Sequence, residues 1–128
     1  MLDLKELAHE HGYRVGLDES ARLDPARSER HWYYRIPCRR GRGFIGVHGP
    51  ALLSAYAAGP TACRLMALDG VQVIQRGDNE ARVVFPPERL PEVARVLQPF
   101  RRRRLSPEAR QAAAERITRH RFQATASI

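Results

Sequence analysis

The sequence predicts an α+β domain: an antiparallel or mixed sheet of two hairpins, plus an N-terminal strand, with helices packed on one face and a basic C-terminal helix. Three observations predict it. Aromatic, β-branched or alternating segments flank glycine-containing turns at residues 32–48 and again at 71–85. Leu90, Val93, Ala94 and Leu97 recur at i, i+3, i+4 and i+7, the stripe of a helix with one buried side. At 128 residues and 43% apolar content the chain supports one core, and hairpins followed by helices bury their faces as two layers.

Element by element, residues 3–11 read as a helix, because Leu4, Leu7 and Ala8 share a face and Gly12 stops it. Tyr13 to Leu17 reads as a strand with Tyr13, Val15 and Leu17 on one side, and residues 18–31 lack periodicity and read as a loop. Trp32 to Ile36 and Phe44 to His48 form the first hairpin, turned by the glycines of Cys38-Arg39-Arg40-Gly41-Arg42-Gly43. Gly49-Pro50 ends that unit, and Ala51 to Ala58 reads as helical. Pro60 opens a further helix to Leu68, with Ala62, Leu65, Met66 and Leu68 toward the core and Gly70 as its stop. In the second hairpin Val71, Val73 and Gln75 alternate with Gln72 and Ile74. After the turn Gly77-Asp78-Asn79, residues Ala81, Val83 and Phe85 alternate with Arg82 and Val84. The helix of residues 90–97 follows Pro86-Pro87, tolerates Pro91 only in its first turn, and ends at Pro99. The boundaries that follow are a compact domain over 1–99, an arginine-rich linker over 100–105, a basic helix over 106–122 and a disordered end over 123–128.

Charge is unevenly placed. The chain has 22 Lys/Arg against 14 Asp/Glu, and residues 86–128 hold ten against four, so +6 of the net +8 lies in the last third. Lys5 is the only lysine, a bias expected of a GC-rich genome, but that bias does not explain the excess of positive charge. Arg101, Arg102, Arg103 and Arg104 stand side by side, and such a run is favoured by a polyanion through counterion release. Ser106-Pro107-Glu108 then opens the tail helix. Its Ala109, Ala112, Ala113 and Ile117 make a thin apolar stripe, bordered by Arg110 and Arg121 on one side and by Arg116 and Arg119 on the other. Either the stripe packs on the domain under the arginine stems, or it is too slight to dock and waits for a partner.

The first hairpin is a second basic spot. Arg39, Arg40 and Arg42, with Arg35, surround its turn beside Trp32, Tyr33 and Tyr34. Arginines with aromatic faces suit single-stranded nucleic acid, while an alternating strand places Trp32 and Tyr34 on a core face. No metal or cofactor is assigned: His9, His11, His31, His48, Cys38 and Cys63 show no CxxC, HxxxH or HExxH spacing. Gly41-Arg42-Gly43 has neither Walker nor dinucleotide spacing. Asp78 and Glu80 serve as turn formers, and no base is identified for either cysteine, so no catalytic residue is assigned and an enzyme ranks last. Two cysteines are too few for a disulfide framework, the acidic start does not fit a signal peptide, and no apolar run reaches the ~18 residues of a membrane span. A cytoplasmic, reduced setting is expected.

The phrase Trp32-Tyr33-Tyr34-Arg35-Ile36-Pro37-Cys38-Arg39, the glycine-rich turn and the ending Arg101 to Glu108 resemble small uncharacterised proteins of GC-rich bacteria and their phages, over residues 32–122. The resemblance implies no activity and no catalytic residues, only that the arginine run and the Leu-Ser-Pro-Glu helix form a unit. The expectation is therefore a non-enzymatic nucleic-acid-binding protein using its basic C-terminal segment on the phosphate backbone, DNA or RNA undecided. The alternative is a protein–protein adaptor or inhibitor, phage-related ones included, that docks the same tail on an acidic protein surface.

Overall fold

The computed structural model describes residues 2–102, 108, 111–112 and 114–116. Helix α1 (Leu4–His11) starts where the Asp3 carboxylate accepts from the N–H groups of Lys5 at 3.0 Å and Glu6 at 3.4 Å. It stops at Gly12, whose φ of 73° lets its N–H turn back to the last carbonyls. Strands β1 (Gly16–Leu17), β2 (Tyr34–Pro37), β3 (Phe44–His48) and β4 (Leu52–Ala58) follow, then α2 (Pro60–Met66), β5 (Gln72–Arg76), β6 (Glu80–Phe85) and α3 (Leu90–Leu97). The six strands form one open sheet in the order β1-β2-β3-β4-β6-β5, and every neighbouring pair is antiparallel. The architecture is α+β.

Register decides which side chains meet. Ile45 lies opposite Ile36 and Ala55, Ala55 opposite Val83, and Leu53 opposite Val47 and Phe85. This inner row joins Leu4 and Ala8 of α1, Leu65 of α2, and Leu90, Val93 and Leu97 of α3 in one buried cluster. The alternate residues make a row on the other face. Phe44 lies opposite Tyr56, which lies opposite Arg82. The two rings stack at 5.3 Å, Arg35 sits 4.1 Å over Phe44, and Arg82 lies 5.6 Å and 5.9 Å from the two centroids. Asp18 anchors Arg35 at 3.1 Å, and the Tyr56 hydroxyl donates to Glu80 at 2.7 Å. On this face Arg35 is paired with Asp18, and Arg82 rests against the two rings.

Three expectations need correction. Ala51 to Ala58 is not a helix: Leu52–Ala58 is β4, hydrogen-bonded on both sides in the centre of the sheet. Its alanines Ala55 and Ala57 favour a helix in isolation, but as small inner-row residues they leave room for the packed layer, and pairing on two edges outweighs propensity. Trp32 is not in a strand. It lies in a 3-10 turn (His31–Tyr33), 51% exposed, with Arg30 5.5 Å from its ring, and the strand begins at Tyr34. The expected strand over 13–17 is reduced to Gly16–Leu17, because Tyr13 pairs with Arg101 instead. In the tail, Glu108, Gln111, Ala112, Ala114, Glu115 and Arg116 are helical and exposed, and the other residues of the expected helix over 106–122 lie outside the described ones. Among the described residues no helix is long and apolar enough to cross a membrane.

Cys38 and Cys63 differ sharply. Cys38 is 5% exposed, and burial pushes its thiol up to about 12, whereas Cys63 is exposed on α2. One thiol per folded chain is expected to react with an aromatic disulfide reagent, the second only after denaturation. Unfolded, Cys38 ionises near the ordinary thiol pKa of ~8.5, so its raised folded value favours the native state below that pH. That contribution is lost as pH rises toward the folded value. Burial of Tyr13 and the Glu80 bond to Tyr56 raise two phenols in the same sense. Thermal melts above about pH 8.5 are expected to fall progressively; a melting temperature flat across that range would contradict the burial of Cys38.

Candidate functional site

The chain leaves α3 through Gln98, whose left-handed conformation (φ 53°) returns its N–H to the Ala94 carbonyl at 2.8 Å. Pro99 cannot continue a helix, and the segment crosses back over the domain as an extended leg. Its backbone is pinned on both sides. The Phe100 N–H donates to Pro37 (3.0 Å) and the Arg39 N–H to Gln98 (2.9 Å), while the Arg14 N–H donates to Phe100 (2.8 Å) and the Arg102 N–H to Gly12 (2.9 Å). Backbone contacts of the leg with the domain therefore continue to Arg102.

This leg is the floor of a groove of about 600 Å³. Tyr13 and Arg14 form one wall, Arg39 another, and Pro91, Ala94, Arg95 and Gln98 of the α3 end a third. Two guanidiniums approach the Phe100 ring, Arg14 at 5.7 Å and Arg39 at 5.3 Å, and Arg101 lies 5.7 Å from the Tyr13 ring centroid. Ring contacts of this kind hold long side chains in place at about 0.5–1 kcal/mol each. Burial pushes the Tyr13 phenol up, with the Arg101 charge acting against it.

Among the described residues, four guanidiniums thus line one hollow and no carboxylate lines it. The ion pairs among the described residues, Arg30–Asp24, Arg35–Asp18 and Arg89–Glu92, all lie elsewhere. The carbonyl end of α3 offsets some of the repulsion, by an amount on the order of 0.3–1 kcal/mol per charge. The hollow remains cationic, and a surface of that sign attracts anions.

The expected site residues divide accordingly. Arg39 and Arg101, 62 positions apart, line the same groove. Arg40 flanks it, with Nε 3.5 Å from the Gln98 side chain, and Arg102 points away to donate to His9 Nδ1 at 2.7 Å. Arg42 lines a different hollow, where Asp18 and Glu19 join Arg35 and mix the charge. Arg116 is exposed and bonds its own helix at Ala112. Arg103, Arg104, Arg110, Arg119 and Arg121 lie outside the described residues.

Sequence reasoning missed Arg14 and Arg95. Arg14 is exposed between α1 and β1 and Arg95 is exposed on α3, positions where an arginine carries no local signal. The one available cue was Phe100, a large apolar residue directly before the arginine run. Among the described residues no three His, Cys, Asp or Glu side chains converge to hold a metal ion. No protein-family model, curated protein or solved structure matches the chain.

Proposed function

We propose that this is a non-enzymatic nucleic-acid-binding protein whose phosphate-backbone contacts centre on the groove of Arg14, Arg39, Arg95 and Arg101. The observation that carries this reading is the convergence of four guanidiniums with, among the described residues, no lining carboxylate. A guanidinium is always charged and offers a planar fork of donors that matches a phosphate, so the set suits a repeating phosphate ligand. Arg40, Arg102 and the tail arginines, Arg103, Arg104, Arg110, Arg116, Arg119 and Arg121, would extend the contact beyond the hollow. Contacts of this type set affinity and register without naming a base sequence.

The test is a titration of the full chain against a random duplex and a random single strand across a salt series. If four to six arginines meet phosphates, log K falls with log salt at a slope of roughly −3.5 to −5.5 on duplex and roughly −3 to −4 on single strands. The double variant Arg14→Gln/Arg95→Gln is expected to flatten the slope by roughly 1.4–1.8. Arg64→Gln, on an exposed position of α2 outside the groove, should leave it unchanged. Absence of binding at low salt, or a double variant indistinguishable from wild type, would remove the groove from this role. In the first case an acidic protein surface becomes the partner to test.

A further inference from the structure

Size and charge together restrict what the groove accepts. A hollow of about 600 Å³ has the volume of a cube with an edge of about 8 Å, whereas the major groove of a duplex alone is about 12 Å wide. A duplex meets such a concavity only at its rim. The same volume lies within the ~300–1,000 Å³ range of small-ligand sites, and holds one or two nucleotides of a single strand.

Two nucleotides from the middle of a strand bring two phosphodiester charges, against four guanidiniums. A terminal phosphate monoester brings about −1.5 to −2 by itself near neutral pH, and with the adjoining diester about −3. The end of a strand therefore answers the charge of the hollow better than its middle does. It also exposes three oxygens to the guanidinium forks, where a diester exposes two. Arg14 and Arg39 are already held against Phe100, and Arg101 against Tyr13, so less side-chain freedom is lost on binding.

We propose that the groove seats the terminal phosphate monoester of a single-stranded nucleic acid, with Arg14, Arg39, Arg95 and Arg101 as its ligands. The proposal rests on the nucleic-acid reading above. The direct experiment is fluorescence anisotropy of the full chain with one single-stranded octamer, labelled at the far end and carrying either a phosphate or a hydroxyl at the near end. A 5′ pair and a 3′ pair are made, and the pair that discriminates names the terminus.

The phosphorylated strand of one pair is expected to bind about ten-fold tighter or more, the worth of one or two charge-assisted bonds. Arg14→Gln and Arg95→Gln, both at exposed positions and checked for an unchanged melting curve, should each remove most of that difference. Phosphorylated and hydroxyl strands binding within about two-fold of each other in both pairs would overturn end recognition while leaving the nucleic-acid reading intact. Binding of no strand would overturn both. Discrimination that survives both substitutions would also overturn the assignment to this groove.

Discussion

Replacing Gly43 with alanine is expected to lower the unfolding free energy by about 3 kcal/mol, the upper part of the range for overpacking a filled site. The backbone at Gly43 is extended, with φ −80° and ψ 167°, so alanine meets no conformational penalty there. The cost is steric. A β-carbon at this position would stand 2.5 Å from the Tyr56 carbonyl oxygen, 3.0 Å from Leu97 Cδ2 and 3.2 Å from the Arg40 carbonyl. Tyr56 belongs to β4, which is bonded on both edges, and Leu97 is fully buried, so neither yields cheaply. The turn of residues 39–43 must move instead, and Arg39 moves with it. Urea unfolding with Gly16→Ala as control checks the first claim, because a β-carbon at Gly16 meets nothing within 4 Å. That control should stay within about 0.5 kcal/mol of wild type. A Gly43→Ala protein equally close to wild type would mean that the turn does not pack against β4. Weaker oligonucleotide binding by a folded Gly43→Ala protein is the functional counterpart.

That turn also shows how far the sequence could be read. Its glycines announce a tight reversal, and β-branched and aromatic content predicts a hairpin there, read as Trp32–Ile36 with Phe44–His48 where the structure pairs Tyr34–Pro37 with Phe44–His48. The second hairpin is legible for the same reason, since alternation is a local property. The third helix was legible from its apolar period, and α1 from Leu4, Leu7, Ala8 and its glycine stop. What local pattern does not carry is a choice made by distant partners. Leu52 to Ala58 has the composition of a helix and becomes the central strand only because β3 and β6 flank it.

The groove belongs to the same class of hidden feature. Arg101 was singled out for its neighbours in the run, Arg39 for its glycine-rich turn, and each was assigned to a separate contact. They share a site because Pro99 ends α3 and the Phe100 backbone bridges Arg14 and Pro37. Those bonds join residues more than 60 positions apart, and nothing in the spacing of arginines encodes them. Arg14 and Arg95 were invisible for the same reason: outward arginines acquire meaning only when a third element closes the hollow between them.

The leg therefore separates two roles that the sequence merges, and two truncations are expected to pull them apart. Ending the chain after Gln98 should cost about 2–3 kcal/mol of stability. It removes three backbone hydrogen bonds, those of Phe100 with Pro37, Arg14 with Phe100 and Arg102 with Gly12, at about 0.5–1.5 kcal/mol net each. It also uncovers Tyr13 and Cys38, now 6% and 5% exposed, to which the leg is paired through Arg101 and Pro99. The released ordering entropy of the leg keeps the loss from being larger. Ending it after Arg102 leaves all of those contacts in place, so stability should stay within about 0.5 kcal/mol of the full chain. Binding should divide differently. The shorter protein loses Arg101 and the groove floor, and with them at least about ten-fold in affinity for a single strand. The longer one keeps the groove and should lose only the tail arginines. Its salt slope on single strands should then flatten by roughly 0.7 for each phosphate the tail had met, while preference for a phosphorylated end persists. If ending the chain after Arg102 abolishes binding outright, the tail and not the groove holds the nucleic acid.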